Sequence, residues 1–334
     1  MVVLSPPADL SEQALVSALA RGWALRVASM AYRPVGFGSH HWQVTDVSGA
    51  RWFITVDELQ TKRLSRCQPL AAVFDRLRAS LAAATDLREN GHPFAVAPVA
   101  ALDGEPVIRL GQRFSLAVYP FLDGRSFGWG QWQDSAAGHR RAVLDLIIAV
   151  HQAPAAARRR APADDFAVPL RDELTAALAG AHHASDCGPY ARPAARLLAQ
   201  NAAPIRRQLT RYDTLATTGR GQPDRSVLTH GEPHPANTML TPAGWLLIDW
   251  DTALIAPPER DLCSLDPGDG SILASYTDTT GVPPMPSMLQ LYRLRWDLAD
   301  LALVVSRFRA PHTGSPDDNK SWNVLRSAVA NLAR

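Results

Sequence analysis

Apolar positions along the chain change their period several times. From Leu10 to Leu25 they recur at helical spacing, with Ser11 placed to cap the start. Residues 26–35, 42–47 and 51–57 then alternate in the manner of strands, with Ser48-Gly49 as a turn between the last two. Between the first two strands lies the glycine-bearing stretch Gly36-Phe37-Gly38-Ser39-His40-His41. Residues 69–90 return to helical spacing, with Val73, Phe74, Leu77, Leu81 and Ala84 on one stripe, and Gly91-His92-Pro93 ends them. Two more strands are predicted near 105–110 and 113–119, followed by the connector Pro120-Phe121-Leu122-Asp123-Gly124.

Beyond that connector the pattern is mostly helical. Helices are predicted over 134–153 (Val143, Leu144, Ile147 and Val150 inward) and near 169–185, 190–210, 287–308 and 321–333. Arg158–Arg160 read as an exposed loop. The interruption is residues 226–262, where short strand-like runs and loops replace helix. The expected fold is therefore α+β and bilobal. A small antiparallel lobe with one long helix spans about 1–119, and a larger, mainly helical lobe spans 120–334.

Composition narrows the function. The formal net charge is +2 with 20% charged residues, so the chain lacks the basic excess of a dedicated nucleic-acid binder. Cys67, Cys187 and Cys263 are odd in number and far apart, which suits free thiols in a reducing compartment. The N-terminal residues show neither a basic region nor an apolar run of the leader type. No apolar stretch reaches the ~20 residues a membrane span needs. A cytoplasmic protein without membrane or nucleic-acid partners is the expectation; oligomeric state is not legible. Lysine is nearly absent, only Lys62 and Lys320 occurring, which makes each lysine informative.

Candidate chemistry concentrates in Ser226–Leu262. A turn at Pro242-Ala243-Gly244 separates Thr238–Leu240 from Trp245–Ile248 and predicts a hairpin. His230-Gly231-Glu232 and Asn237 precede it, and Ile248-Asp249-Trp250-Asp251 follows. An acid, an Asn five positions further on and an Asp past the hairpin put three oxygen donors around one cleft. Phosphoryl transfer needs such a set: a carboxylate for the proton of the attacking hydroxyl, and hard oxygen ligands for Mg²⁺.

This stretch resembles the catalytic and metal loops of the aminoglycoside phosphotransferase and choline kinase superfamily, which has the protein-kinase fold. Its tail, Ala256-Pro-Pro-Glu-Arg-Asp261-Leu262, is similar to spectinomycin-type phosphotransferases. The resemblance implies Glu232 as catalytic base, and Asn237 and Asp249 as Mg²⁺ ligands. Asp251 is implied as a further metal or substrate contact, His230 as a loop-holding member of the catalytic motif, and Asp261 as a buried acid that orients the loop. His234 is a loop residue near the phosphates. In the small lobe it implies a phosphate-covering loop at Gly36 and Gly38, with the backbone amides of Ser39 and His40 available. It also implies an interlobe segment at Tyr119 to Phe121 against the adenine edge.

Two departures stand out. The base position holds Glu232 in place of Asp, and Thr55 occupies the strand position expected for the phosphate-binding lysine. Lys62, seven residues on, and Arg63 are the candidate replacements, with Asp75, Asp86 and Glu89 as candidate acidic partners. On the substrate side Asp266, Asp269, Asp297 and Asp300 are candidates for a cationic group. Asp297 and Asp300 share a helix face, although Arg293 offers Asp297 a plain salt bridge. Tyr292, Trp296 and Trp322 read as core. The expected activity is Mg²⁺-dependent transfer of the γ-phosphate of ATP or GTP to a hydroxyl of a small polar, antibiotic-like molecule. The alternative, motivated by Glu232 and Thr55, is a degraded relative that only binds nucleotide or ligand.

Overall fold

In the computed structural model, residues 4–36, 38–132, 136–180 and 187–334 are described. Phe37, the predicted helix start at 134–135, the predicted helical residues 181–185 and the first three residues of the N-terminal segment lie outside them.

Helix α1 (Glu12–Trp23) starts where Ser11 predicts, the Ser11 hydroxyl accepting from the Ala14 amide. Strands β1 (Val27–Arg33), β2 (Ser39–Asp46) and β3 (Arg51–Glu58) form a meander, and α2 (Leu70–Glu89) crosses to β4 (Ile108–Leu110) and β5 (Phe114–Pro120). The sheet order is β1-β2-β3-β5-β4, antiparallel throughout. Alternation divides its faces. Trp42, Val44, Ile54, Val56, Leu116 and Val118 pack against α1. The opposite face carries the paired rows Ser39–Asp57–Ser115 and His41–Thr55–Ala117. The strand predicted from residue 42 thus begins at Ser39, so Ser39, His40 and His41 belong to β2 and not to the glycine loop. The Asp57 carboxylate draws the chain into register there by accepting from Ser39 Oγ at 2.5 Å.

The helical part holds β6 (Arg125–Ser126), α3 (Ala136–His151), α4 (Arg171–Leu178), α5 (Ala191–Gln200) and α6 (Ala202–Arg220). There follow β7 (Val227–Thr229), β8 (Thr238–Thr241), β9 (Gly244–Leu247), β10 (Leu254–Ala256), α7 (Glu259–Leu265), α8 (Ser271–Thr280), α9 (Pro286–Phe308) and α10 (Pro316–Leu332). One apolar core joins α4, α5, α6, α9 and α10. A second joins α3, α7, α8 and Trp250 to Ala83, Ala84 and Leu87 of α2, so the long helix of the small lobe also roots in the large one. The expected bilobal α+β architecture is what the structure shows.

Local predictions differ in instructive ways. The single helix predicted at 190–210 is two, broken at Asn201, whose side-chain amide turns back on the Leu197 carbonyl. Its second part runs ten residues further than predicted. Thr210, Thr214, Thr217 and Thr218 are poor helix formers, yet each returns its hydroxyl to the carbonyl four residues back. The last helix starts at Pro316, earlier than predicted, on a capping box between Ser315 and Asp318. Arg160, predicted in an exposed loop, is bound to Asp86 of α2 by paired hydrogen bonds at 2.6–3.1 Å. Among the described residues no helix is long and apolar enough to cross a membrane.

Candidate active site

The floor of the cleft is built by Ser226–Leu262. Strands β7 and β10 pair antiparallel, and β8 and β9 form the predicted hairpin. Asp261, on α7, sits fully buried beneath the loop that leaves β7. It accepts from the amides of His230 (2.9 Å) and Gly231 (2.5 Å) and pairs with His151 Nε2 at 3.1 Å. Burial works against an ionised Asp261, but the His151 contact together with Arg260 and His230 outweighs it and lowers its pKa. His230 spends both ring nitrogens on the backbone: Nε2 donates to the Ile248 carbonyl at 2.9 Å, and Nδ1 accepts from the Glu232 amide at 3.2 Å. Burial lowers its pKa, so it is held neutral in that tautomer. The structure therefore places His230 as the clamp between the two loops, with no ring nitrogen left for proton transfer.

Arg260 completes the clamp, donating to Thr229 Oγ1 at 2.8 Å and the Thr252 carbonyl at 2.7 Å. Thr252 Oγ1 returns a bond to the His230 carbonyl. Gly231 has φ +100° and lies so close over Arg260 that a Cβ would run into the guanidinium.

On this base the chain brings Glu232, Asn237, Asp249 and Asp251 together. Asn237 Nδ2 donates to the Glu232 carbonyl at 3.1 Å, and the Asn237 carbonyl accepts from Ile248. Asp249 holds a left-handed backbone, φ +66°, rare for a residue with a side chain and typical of a functional turn. Its carboxyl opens to the cleft and shares a hydrogen bond with Asp251. Burial of the cleft floor, then the charges of Asp251 and Glu232, push the Asp249 pKa well above the ordinary carboxylate range. Among the described residues no three His, Cys, Asp or Glu side chains form a closed metal cage. Two adjacent carboxyls and an amide oxygen fit Mg²⁺, which keeps water and phosphate oxygens in its shell.

The roof differs from the motif. Thr55 meets His41 Nδ1 at 3.3 Å, and burial drives the His41 pKa down to about 4, so this pair is neutral. The cation comes from the short turn Leu59–Lys62 after β3. Lys62 Nζ reaches Asp251 Oδ2 at 2.5 Å and Asp57 Oδ1 at 3.0 Å. Burial opposes its charge, but the two carboxylates outweigh it and raise its pKa. The acid facing Lys62 from the small lobe is thus Asp57, from β3. The candidates on α2 are engaged elsewhere, Asp75 with Arg78 and Asp86 with Arg160, and Glu89 is exposed at the helix end. Arg63 points to the Arg66 carbonyl.

Of the other roof candidates, Gly36 and Gly38 both take positive φ, and Ser39 faces the cleft through Asp57. The His40 side chain shares the opposite face with Trp42 and meets the Tyr32 hydroxyl at 3.2 Å. Tyr119 lies among Asp249, Asp57 and Asp251; burial first, then these charges, raise its pKa. The Phe121 ring carries the Arg51 guanidinium 4.6 Å from its centroid.

The substrate candidates separate. Asp300 lies beside Glu232 and Asp297 and bonds Trp296; burial, then these two acids, raise its pKa to about 6. Asp297 accepts from Asn331 at 2.9 Å and borders a cavity of about 220 Å³ between α6, α9 and α10, away from the floor. Asp266 is taken by Arg293 at 2.7 Å, so the salt bridge expected between Arg293 and Asp297 is replaced, because the end of α7 presents the nearer carboxylate. Asp269 caps α8 through Ser271.

Tyr292 and Trp322 are core as read from sequence, Tyr292 bonding Asp164 and Trp322 stacking on Tyr190. Trp296 corrects the same reading. It forms a wall with Trp129, which is 61% exposed and stands 5.4 Å from it. Trp129 also covers His234 at 4.1 Å, and His234 Nε2 stands 3.5 Å from Glu232 Oε2. Sequence reasoning missed His41, Asp57 and Trp129. Strand alternation from Ser39 signals the first and cross-strand register the second; Trp129 lies in an irregular segment with no pattern to read.

The geometry agrees with three comparisons. A family model described as a phosphotransferase enzyme family, APH, matches residues 32–320. Protein StrN of Streptomyces griseus is 33% identical over 255 residues, 72% of this chain and 72% of that protein. Among solved structures, spectinomycin phosphotransferase APH(9)-Ia with ADP and spectinomycin superposes with a TM-score of 0.71 at 16% identity, over 97% of this chain and 98% of that one. The microcompartment-associated aminopropanol kinase does so with a TM-score of 0.60 at 16% identity, over 97% of each chain. These two likenesses show the fold.

Proposed function

The chain belongs to the APH phosphotransferase enzyme family, and from that premise we propose that it moves the γ-phosphoryl group of ATP or GTP to a hydroxyl of a small, cationic, polar molecule of the aminocyclitol or amino-alcohol type. The observation that carries this reading is the convergence of Glu232, Asn237 and Asp249 on one cleft, opposite Lys62. Solved structures of the same fold hold ADP with spectinomycin in one case, and GDP with kanamycin in another at a TM-score of 0.55. We place the lobe boundary at about residues 119–120, where β5 ends.

The residues divide the work as follows. Glu232 accepts the proton of the attacking hydroxyl while the hydroxyl oxygen bonds to the γ-phosphorus. The bond to the β-phosphate oxygen breaks, and the nucleoside diphosphate leaves. His230 and Asp261 hold the loop that aims Glu232. Asn237, Asp249 and Asp251 would hold Mg²⁺, which neutralises charge on the phosphate oxygens. Lys62 supplies the roof's positive charge in place of a strand lysine, with Gly36, Gly38, Ser39 and Tyr119 around the nucleotide. Glu232 is one methylene longer than the usual base, and the His234–Trp129 contact limits where that extra length can swing.

Asp300 and the Trp129–Trp296 wall support a cationic substrate. An ammonium group there relieves the crowding of Asp300, Glu232 and Asp297 and meets two aromatic faces. Asp266 is outside this set because Arg293 neutralises it.

The test is nucleoside-diphosphate release with ATP or GTP and Mg²⁺ across aminocyclitols, aminoglycosides and amino alcohols, with ³¹P NMR of the product. A phosphate monoester that forms with the wild type and not with Asp249→Ala is expected. Nucleotide binding without turnover across the whole panel would favour the binding-only alternative.

A further inference from the structure

Lys62 does two things at once that its position makes mutually dependent. Its backbone is fixed: Arg76 of α2 donates to the Lys62 carbonyl at 2.5 Å. Its partner Asp57 is fixed too, held between Ser39 Oγ at 2.5 Å and Ser115 Oγ at 3.3 Å on neighbouring strands. From that anchor the ammonium spans to the floor and takes Asp251 Oδ2 at 2.5 Å. Asp251 is the carboxylate that also shares a hydrogen bond with Asp249. One flexible cation therefore links a roof carboxylate to the floor carboxylate that an incoming metal ion requires.

We propose that Lys62 is an exchange cation that ties metal loading to nucleotide loading: it gives up Asp251 when a divalent cation takes that carboxylate, and, still tethered to Asp57, turns its charge to the nucleotide's phosphate oxygens. The proposal rests on the nucleotide-and-metal reading above and deepens it. Two like charges cannot share one carboxylate oxygen at contact distance without strong repulsion. A lysine ammonium on four methylenes can change partner while its backbone stays put. The roof offers no other cation on the cleft-facing rows: Ser39, His41, Thr55, Asp57, Ser115 and Ala117 are neutral or acidic there.

The consequence is a pair of effects of opposite sign. Lys62 opposes the metal when nucleotide is absent and favours the nucleotide always. A lysine that merely neutralises two buried acids would also oppose the metal, but equally with and without nucleotide, because it would never leave Asp251.

The experiment titrates the full chain with Mn²⁺ alone, with Mn²⁺ at saturating ADP, and with ADP in the presence of a chelator, by calorimetry. Circular dichroism confirms the fold of each variant. Lys62→Met is expected to bind Mn²⁺ alone on the order of tenfold more tightly than wild type, to lose that gain at saturating ADP, and to bind metal-free ADP on the order of tenfold more weakly. Lys62→Arg keeps both close to wild type. Asp57→Asn is expected to bind Mn²⁺ more weakly than wild type, because Lys62 then falls wholly to Asp251. Mn²⁺ binding that is unchanged or weaker in folded Lys62→Met, or a gain that persists at saturating ADP, overturns the proposal. If Lys62→Met does not fold, Asp57→Asn decides alone: an Mn²⁺ deficit relative to wild type that saturating ADP removes supports exchange, and a deficit equal with and without ADP, or no deficit, refutes it. A wild type that binds neither Mn²⁺ nor ADP removes the nucleotide-and-metal reading itself; one that binds both while the variants do not separate removes only the exchange.

Discussion

The floor and the roof of the cleft solve the same problem by different means. On the floor each functional side chain is aimed by backbone hydrogen bonds to buried groups: Asp261 under His230 and Gly231, His230 on Ile248, Arg260 on Thr252. On the roof the turn is held by one bond from Arg76, and the Lys62 ammonium on its flexible stem is aimed chiefly by charge, standing between Asp57 and Asp251. Hydrogen-bonded geometry tolerates little displacement, since an unmade buried bond costs about 1–3 kcal/mol. Charge attraction falls slowly with distance and accepts its donor from several places. The motif is accordingly kept on the floor in spacing, with Glu232 for Asp its change of type, whereas on the roof Thr55 stands at the lysine position and a lysine lies seven residues further along the chain.

Removing a floor carboxylate should produce the largest effect. Asp249→Ala is expected to lower kcat by about a thousandfold or more, the scale of losing a preorganised charge contact in the transition state, with melting temperature unchanged or raised. A kcat within tenfold of wild type would end the distinction between floor and roof.

The second test compares two glycines. Gly231→Ala places a Cβ on Arg260 at φ +100° and should cost about a hundredfold in kcat/KM, with a lower melting temperature. Gly38→Ala, at φ +91° with open space around it, should cost about 1 kcal/mol of stability and a few-fold in KM for nucleotide. Equal losses at the two would show the roof to be as geometrically strict as the floor.

A smaller effect sharpens the comparison from the roof. Adding Thr55→Lys to Lys62→Met returns a cation to the cleft-facing row beside Asp57, and nucleotide affinity should recover by about tenfold in titrations. No recovery would mean that the turn after β3, and not its charge, is what matters.

The mildest test is one of pH. The Asp300 pKa is raised to about 6 in the fold, so its protonated form favours the native state. That contribution is complete below the ordinary carboxylate range and is lost as pH rises through about 6. Asp300→Asn should therefore melt higher than wild type at about pH 7.5, by a few degrees, with a smaller gap at about pH 5. Conversely, KM for a cationic substrate should rise in the wild type as pH falls below about 6, and stay flat in the variant.

Much of the fold was legible because it is written in short periods. The α1 cap at Ser11, the stripe of α2 and the β8–β9 hairpin all follow from residues within a few positions of one another. The threonine-rich half of α6 was not, because propensity weighs the β-branched side chain and misses its hydroxyl bond to the preceding turn. Aspartates drawn from one helix face were legible as acids and not as ligands. Only the positions of Arg293 and Asn331 decide that Asp266 and Asp297 are engaged and Asp300 is crowded beside Glu232.

By itself the sequence determined the order of acid, amide and acid in Ser226–Leu262 and the element types that carry them, since spacing along a strand or turn dictates which side chains share an edge. Tertiary structure alone decided who stands opposite. Lys62 meets Asp251 across 189 residues of chain, and Trp129 reaches His234 and Trp296 from an irregular segment. Such meetings depend on how two lobes dock, and docking is settled by the summed packing of the whole core, of which no short window of sequence holds more than a part.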